Sequence, residues 1–510
     1  MTLRFPPILP IQYDEQGIGR FRIDPVTRTA GQLTLEATVD LLNRRVVEAR
    51  VERRSAWRPE RIVIDRPPSD SVWLMSRFRG SGSVAHAIAA VMALETAYQT
   101  SPPPLAIATR GLGAAAELVA AHTRQLFQIA GPDYSEAAIS RTNIGLWRSA
   151  QEARASGHVF HGHRTIADIM RSMNPFGGHL YRESLHLTRV ACEIVTLLFG
   201  KYPHPSALFP AGIGIVADAD VYQQVLGRFN RLLDYSKKVT AVWDDLVTFF
   251  QQSVEPFERS GESAHSLVSF GLWDDPEAGD NRPDRAGQPS YRRYSTPGVV
   301  VGRQLVATDL PSIERRLAEQ GRPGFESGPI ARLWITAVSG QFRNEFIECQ
   351  RRGGIPNLLF DLPAFQAPAT FLAWQLPERI NALERNRARA YQVAYASLIA
   401  LTYLLRSFET LAKGQKAMSN RYQVPSVATG IGLWEEPSGA VIHQISIEER
   451  RISNYRVSTP DTWLQSGSDG PRRLGVIEQE LINTPLVEEF SRPETFTGID
   501  LLRVIRSFDC

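Results

Sequence analysis

From Arg20 to Arg54 the chain reads RFRIDPVTRTAGQLTLEATVDLLNRRVVEARVERR, and apolar and polar residues alternate within it, as in LTLEATV and RVVEARV. A period of two sends alternate side chains to opposite faces of an extended chain, so the segment predicts a hairpin-like pair of strands. Farther on the period changes. Apolar residues recur at three and four positions in Val84–Tyr98, Ala114–Ala130, Glu183–Leu198 and Val221–Gln252, and again in Leu376–Lys413, where Leu383, Ala390, Val393 and Ala394 can share one face. Each of these stretches predicts a helix. The run LWDDPEAGDNRPDRAGQPSYRRYSTPG, residues 272–298, is rich in Pro, Gly, Asp and Arg and predicts an exposed loop. With no internal repeat and no Pro- or Gly-rich linker, one interlocked unit over 1–510 is expected, of α+β class and predominantly helical. Its parts are a β-rich start (1–60), a helical part (61–260), a loop-rich α+β insertion (261–330), a second helical part (331–420) and an α+β end (421–510).

Composition narrows the function more than the fold. A chain of 510 residues, 43% hydrophobic, can bury a large core. The net charge of +3 comes from 57 basic and 54 acidic residues, and the doublets Arg44-Arg45, Arg53-Arg54 and Arg351-Arg352 are scattered rather than gathered into a tract, so no nucleic-acid partner is expected. No apolar run approaches bilayer-spanning length on this reading, CEIVTLLFG and YASLIALTYLL being buried helix. The start, MTLRFPPILPIQYDEQG, lacks a signal-peptide layout. The expected location is cytoplasmic, or membrane-associated through a partner. Cys192, Cys349 and Cys510 are too few and too far apart for a disulfide framework or a zinc knuckle.

Common catalytic motifs fail. GSGSV does not complete a nucleophile elbow, and neither GLGAAAE nor GIGIVAD has the third glycine of a dinucleotide fold. The best metal-like cluster is GHVFHGHR, with His158, His161 and His163. Without a nearby acidic or thiol ligand it is read as loop histidines rather than a site.

An ordered set of matches carries a resemblance. RFRIDPVTRTAGQLTLEATVD resembles the signature I-D-P-V-T-R-I-E-G-H-L-x-I-E of the large subunit of nickel-iron hydrogenases. RFRGSGSVAH resembles R-I-C-G-V-C-x-x-x-H, and LLFGKYPHP resembles F-G-G-K-N-P-H-P. EEPSGAVIH resembles E-A-P-R-G-A-L-x-H, NYRVSTPDTWLQS resembles N-Y-Q-x-V-x-P-T-T-W-N, and LLRVIRSFDC resembles the start of I-x-R-x-x-x-S-F-D-P-C-x-x-C. The resemblance covers nearly the whole chain. It implies the large-subunit fold, with N-terminal β-strands and a central helical bundle.

The departures carry the functional argument. The family holds nickel and iron on cysteine thiolates, two from each C-x-x-C, because soft anionic sulfur suits these metals. Here the first pair falls on Arg79 and Gly82, and of the second at most Cys510 remains. The resemblance implies that the family's proton-passing glutamate falls on Ala30 and that the arginine overhanging its metals falls on Ser438. A methyl group relays no proton, and a neutral hydroxyl supplies no fixed charge. Arg28, His86, the loop of Pro203, His204 and Pro205, and His443 persist and are read as hydrogen-bonded scaffold. Cys192 and Cys349 lie outside both motifs and are expected to be buried core thiols. Arg79, at a former thiolate position, is expected to face Asp509 and the terminal carboxylate of Cys510.

Three classes of function follow. The first is a non-catalytic protein of hydrogenase maturation, a scaffold or assembly factor. The second is a structural or electron-transfer subunit paired with an iron-sulfur small subunit. The third is a hydrogenase-related oxidoreductase with an altered metal site. The first is favoured. Nickel is not expected, and an iron fragment held by Cys510 as a single thiolate is the remaining metal candidate. The expected partner is an iron-sulfur small-subunit-like protein or a maturation protein, in a hetero-oligomer.

Overall fold

The computed structural model describes residues 12–508 apart from 16, 28–31, 55–58, 254–256, 258, 262–265, 278–292, 309–311, 314–323, 341, 465–473 and 491. The N-terminal alternation forms more than a pair of strands. Gln12–Tyr13, Ile18–Thr27, Gln32–Asp40 and Arg45–Arg54 pair antiparallel in chain order as one four-stranded sheet. The register sends Phe21, Ile23, Leu35, Val39 and Val51 into a core shared with Leu501, Leu502 and Val504 of the last helix, Ile499–Ser507. A slip of one residue would turn this whole set to solvent, so burial fixes the register.

The expected helices are present with shifted ends. Val84–Tyr98 starts one residue earlier, at Ser83; Glu183–Leu198 grows to His179–Phe199, and Val221–Gln252 to Ala219–Ser253. The helix read from Ala114 begins at Pro104, with proline in its first turn, and relaxes to a π-helical turn over Gln125–Ile129. Leu376–Lys413 starts only at Ala382, where the Asn381 side chain accepts the Glu384 amide at 2.9 Å and caps the helix. Pro104–Arg124, His179–Phe199, Ala219–Ser253 and Ala382–Ala412 pack as the central bundle. Gly111 and Gly113 set its tightest contacts: a β-carbon at either would lie 2.1 Å from the ring of Tyr403 or Phe199.

Three expectations need correction. The protein is mixed α+β rather than predominantly helical, with about 47% helix and 23% strand. Part of the missed strand lies in the stretch read as helical, where Ile347–Arg352, Ile355–Leu362 and Thr370–Gln375 form an antiparallel sheet. Among the described residues one apolar helix, Pro104–Ile129, is long enough by length and composition to cross a membrane, although 89% of its apolar window is buried inside the protein. The flanks of the loop at 272–298 are not exposed either; Leu272, Trp273 and Tyr294 are core residues.

The part that positions the candidate site is a helix laid on a hairpin. Ser83–Tyr98 packs across Ala428–Glu436, which pairs with Gly439–Glu448 and, through it, with Arg451–Ser458. At Gly430 and Gly432 a β-carbon would lie 1.9 Å from the carbonyl oxygens of Ala93 and Ala89. Only glycine lets helix and strand approach so closely.

Candidate functional site

The loop before the helix Ser83–Tyr98 carries Arg79 and Gly82, and the hairpin tip carries Glu436, Pro437 and Ser438. Arg79 is buried, 6% exposed. Its Nε lies 3.4 Å from Glu436 Oε1, and its terminal nitrogen donates to Asp461. Glu436 also accepts from Ser438 Oγ at 2.8 Å and faces His86 Nε2 at 3.5 Å. Burial alone would push the Glu436 carboxyl up; Arg79, His86 and Ser438 together outweigh it and hold the group below the usual glutamate value. Gly82 caps the helix in a left-handed conformation, φ 90°, and a β-carbon there would stand 2.5 Å from Glu436 Oε2. The carboxylate of Glu436 thus occupies the space that a side chain at position 82 would need.

Behind Glu436 runs a chain of buried polar groups. His86 Nδ1 lies 2.9 Å from His443 Nε2, and His443 Nδ1 lies 2.8 Å from the Tyr455 hydroxyl. Phe78 stacks on His86 with ring centroids 4.9 Å apart. Burial, with His86 beside it, pushes His443 well below the ordinary imidazole value, so its ring is neutral. One nitrogen then donates and the other accepts, so the His86–His443 and His443–Tyr455 hydrogen bonds run in the same direction. On the other side, Glu117 accepts from the Val84 amide at 2.9 Å, the Ala85 amide at 3.1 Å and Ser83 Oγ at 3.3 Å. Burial pushes the Glu117 carboxyl up to about 7 against these amide bonds, and the charge of Glu436 adds to the rise. The His204 amide donates to Ser83 Oγ, and its Nδ1–H donates to the Ser76 carbonyl at 2.8 Å.

A nickel-iron centre of the family's kind does not fit these residues. It needs converging thiolates, yet the two positions of the first motif present a guanidinium and a glycine pressed against a carboxylate. Arg28, Ala30, Asp509 and Cys510 lie outside the described residues. The expected pairing of Arg79 with the chain end therefore lies outside them too, and the counter-charges within them are Glu436 and Asp461. The last helix is buried as far as Phe508, which stacks under the Arg385 guanidinium at 4.0 Å. Cys192 and Cys349 are half-buried rather than fully buried, and burial raises both thiols.

The His-rich loop also differs from its reading. His161 is buried in a short helix, His158–His161, and does have an acidic neighbour: its Nε2–H donates to Asp245 at 3.0 Å, while its Nδ1 accepts the His163 amide. Among the described residues no group of three His, Cys, Asp or Glu could hold a metal. Sequence reasoning missed Glu436 and Asp461. The signal was present, because the quoted patterns E-A-P-R-G and P-T-T-W carry alanine and threonine where this chain has those two acids.

Comparison with known proteins gives a consistent picture. The family described as Nickel-dependent hydrogenase matches residues 59–143 and 363–510. The large subunit of the periplasmic NiFeSe hydrogenase of Desulfomicrobium baculatum is 22% identical, over 96% of this chain and 93% of that protein. The hydrogenase-2 large chain of Escherichia coli is 22% identical, over 96% and 95%. Among solved structures, a chain of the actinobacterial-type NiFe-hydrogenase from Ralstonia eutropha H16 superposes with a TM-score of 0.88 at 30% identity, over 96% of this chain and 98% of that one.

Proposed function

This chain belongs to the family of nickel-iron hydrogenase large subunits, and on that premise we propose that it is a non-catalytic member acting as a scaffold or assembly factor in the maturation of a nickel-iron hydrogenase. The observation that carries this reading is the set of linked replacements at one place. Arg79 stands at one former thiolate position, Gly82 at the other yields its volume to Glu436, and Ser438 replaces the overhanging arginine and bonds Glu436 instead. Losing the thiolates alone would leave unmatched buried charge or an empty cavity. Here cation, anion and volume compensate one another, as in a site kept folded without metal.

The relatives are large chains, so this protein is expected to present a large-subunit-like face to an iron-sulfur small-subunit-like protein or to maturation proteins, in a hetero-oligomer. Cys510 is the candidate thiolate for an iron fragment. Replacing Cys510 by Ser separates the cases: loss of bound iron with the fold intact assigns it a thiolate role, and unchanged composition and partner binding assign it none. The assembly role is tested in the natural host. Deleting the gene should lower the amount of mature, active hydrogenase, with recovery on re-expression; unchanged hydrogenase activity in the deletion strain would contradict the proposal.

A further inference from the structure

The histidine-rich loop that supplies no metal site forms one wall of a cavity. This open hollow of about 520 Å³ lies between that loop and the start of the helix His179–Phe199, and His163, Arg164, Arg171, His179 and Arg182 line it. Its volume suits a small molecule. Asp168 is the acid in the lining, and it is engaged, accepting Arg171 at 3.0 Å and the Thr165 amide at 3.0 Å. Arg164 and Arg182 have no carboxylate partner among the described residues. Arg171 is shared between Asp168 and Glu136, the latter at 3.5 Å, and the guanidiniums of Arg164 and Arg182 remain to line the hollow.

The helix adds to that field. Its N-cap is Gly178, without a side-chain cap, and a β-carbon there would lie 2.2 Å from the Ser172 carbonyl, so glycine is needed for the approach. Ser172 Oγ takes the Leu180 amide at 3.1 Å, and Gly178 and His179 of the first turn line the hollow. His163 Nε2, shielded from solvent, has no hydrogen-bond partner among the described residues. Burial holds the His163 ring below its ordinary value, and His161, His179 and Lys238 push the same way.

We propose that this cavity binds the phosphate group of a small molecule. The guanidiniums of Arg164 and Arg182, which have no carboxylate partner among the described residues, match a dianion in charge, and their forked donors match its tetrahedral oxygens. The proposal does not depend on the assembly role.

The test is calorimetric titration of the full chain with inorganic phosphate and with glycerol 3-phosphate, at constant ionic strength set with chloride. Saturable binding is expected, weakened at least tenfold in the Arg164→Ala/Arg182→Ala variant. It should be unchanged in Arg351→Ala/Arg352→Ala, which removes two exposed arginines from the strand Ile347–Arg352. Equal affinity for the two probes assigns the site to the oxyanion alone, and tighter binding of the ester assigns part of it to the cavity wall. Circular dichroism of the variants checks that the fold is kept. Absence of saturable binding to both probes, or equal weakening in the two double variants, would overturn the proposal.

Discussion

Arg79→Ala is the sharpest perturbation of the charge cluster. It removes the guanidinium held against Glu436 at 3.4 Å and against Asp461, and it leaves Glu436, 1% exposed, with Ser438 and His86 but no fixed cation. At an effective dielectric of 20, a unit pair at that distance interacts by about 5 kcal/mol before desolvation is set against it. Breaking a buried pair by deleting one partner costs about 3–5 kcal/mol, and that range is expected for Arg79→Ala. Glu436→Ala is milder, because Arg79 keeps Asp461; about 3 kcal/mol is expected. The double variant loses cation and anion together and should cost less than the sum, with a coupling energy of about 2 kcal/mol or more. Urea unfolding of the four proteins at pH 7 measures the cycle. The sign of the pH effect is fixed as well. Glu436 titrates lower in the folded chain than in the unfolded one, so its stabilisation is present above the unfolded glutamate value of about 4.3 and is lost as pH falls through the folded value. Additive single effects, within about 0.5 kcal/mol, would refute the claim that Arg79 and Glu436 form one unit.

Other outcomes follow from the same geometry. Gly82→Ala should destabilise by about 2 kcal/mol or more, through the positive φ and the clash with Glu436, and less when Glu436 is already Ala; a neutral effect would count against the volume exchange. Glu117 titrates near 7 in the folded chain, above its unfolded value, so its contribution is complete below about pH 4.3 and is lost as pH rises through 7; Glu117→Gln should flatten unfolding free energy against pH in that window. Tyr455→Phe removes the partner of His443 Nδ1 and should cost about 1–3 kcal/mol of unfolding free energy, with no change in partner binding.

Much of the fold was legible because its largest elements obey one period each. LTLEATV alternates along a strand of the N-terminal sheet, and Ala382–Ala412 is a long apolar helix buried on nearly every side as far as Leu404. The sheet Ile347–Gln375 was not legible, because QRRGGIPNLLF carries a glycine turn between short strands whose apolar runs suit a buried helix equally well. Helix starts were missed where a cap rather than periodicity decides them, as at Asn381. In the candidate site the losses could be read directly, since Arg79 and Gly82 sit in a recognisable loop. The compensation could not, because Glu436 lies 357 residues and Asp461 382 residues from Arg79, and no local pattern relates such positions. A carboxylate in a turn looks exposed until the fold places a guanidinium beside it.

The central claim is that a large-subunit fold here is held by paired charge where its relatives' motifs place thiolates. The most direct measurement is nickel and iron analysis of the protein purified with its natural partners, combined with infrared spectroscopy in the cyanide and carbonyl stretching region. The account predicts no stoichiometric nickel and no hydrogen oxidation with an artificial dye. Stoichiometric nickel with carbonyl and cyanide bands and dye-linked hydrogen oxidation would contradict it.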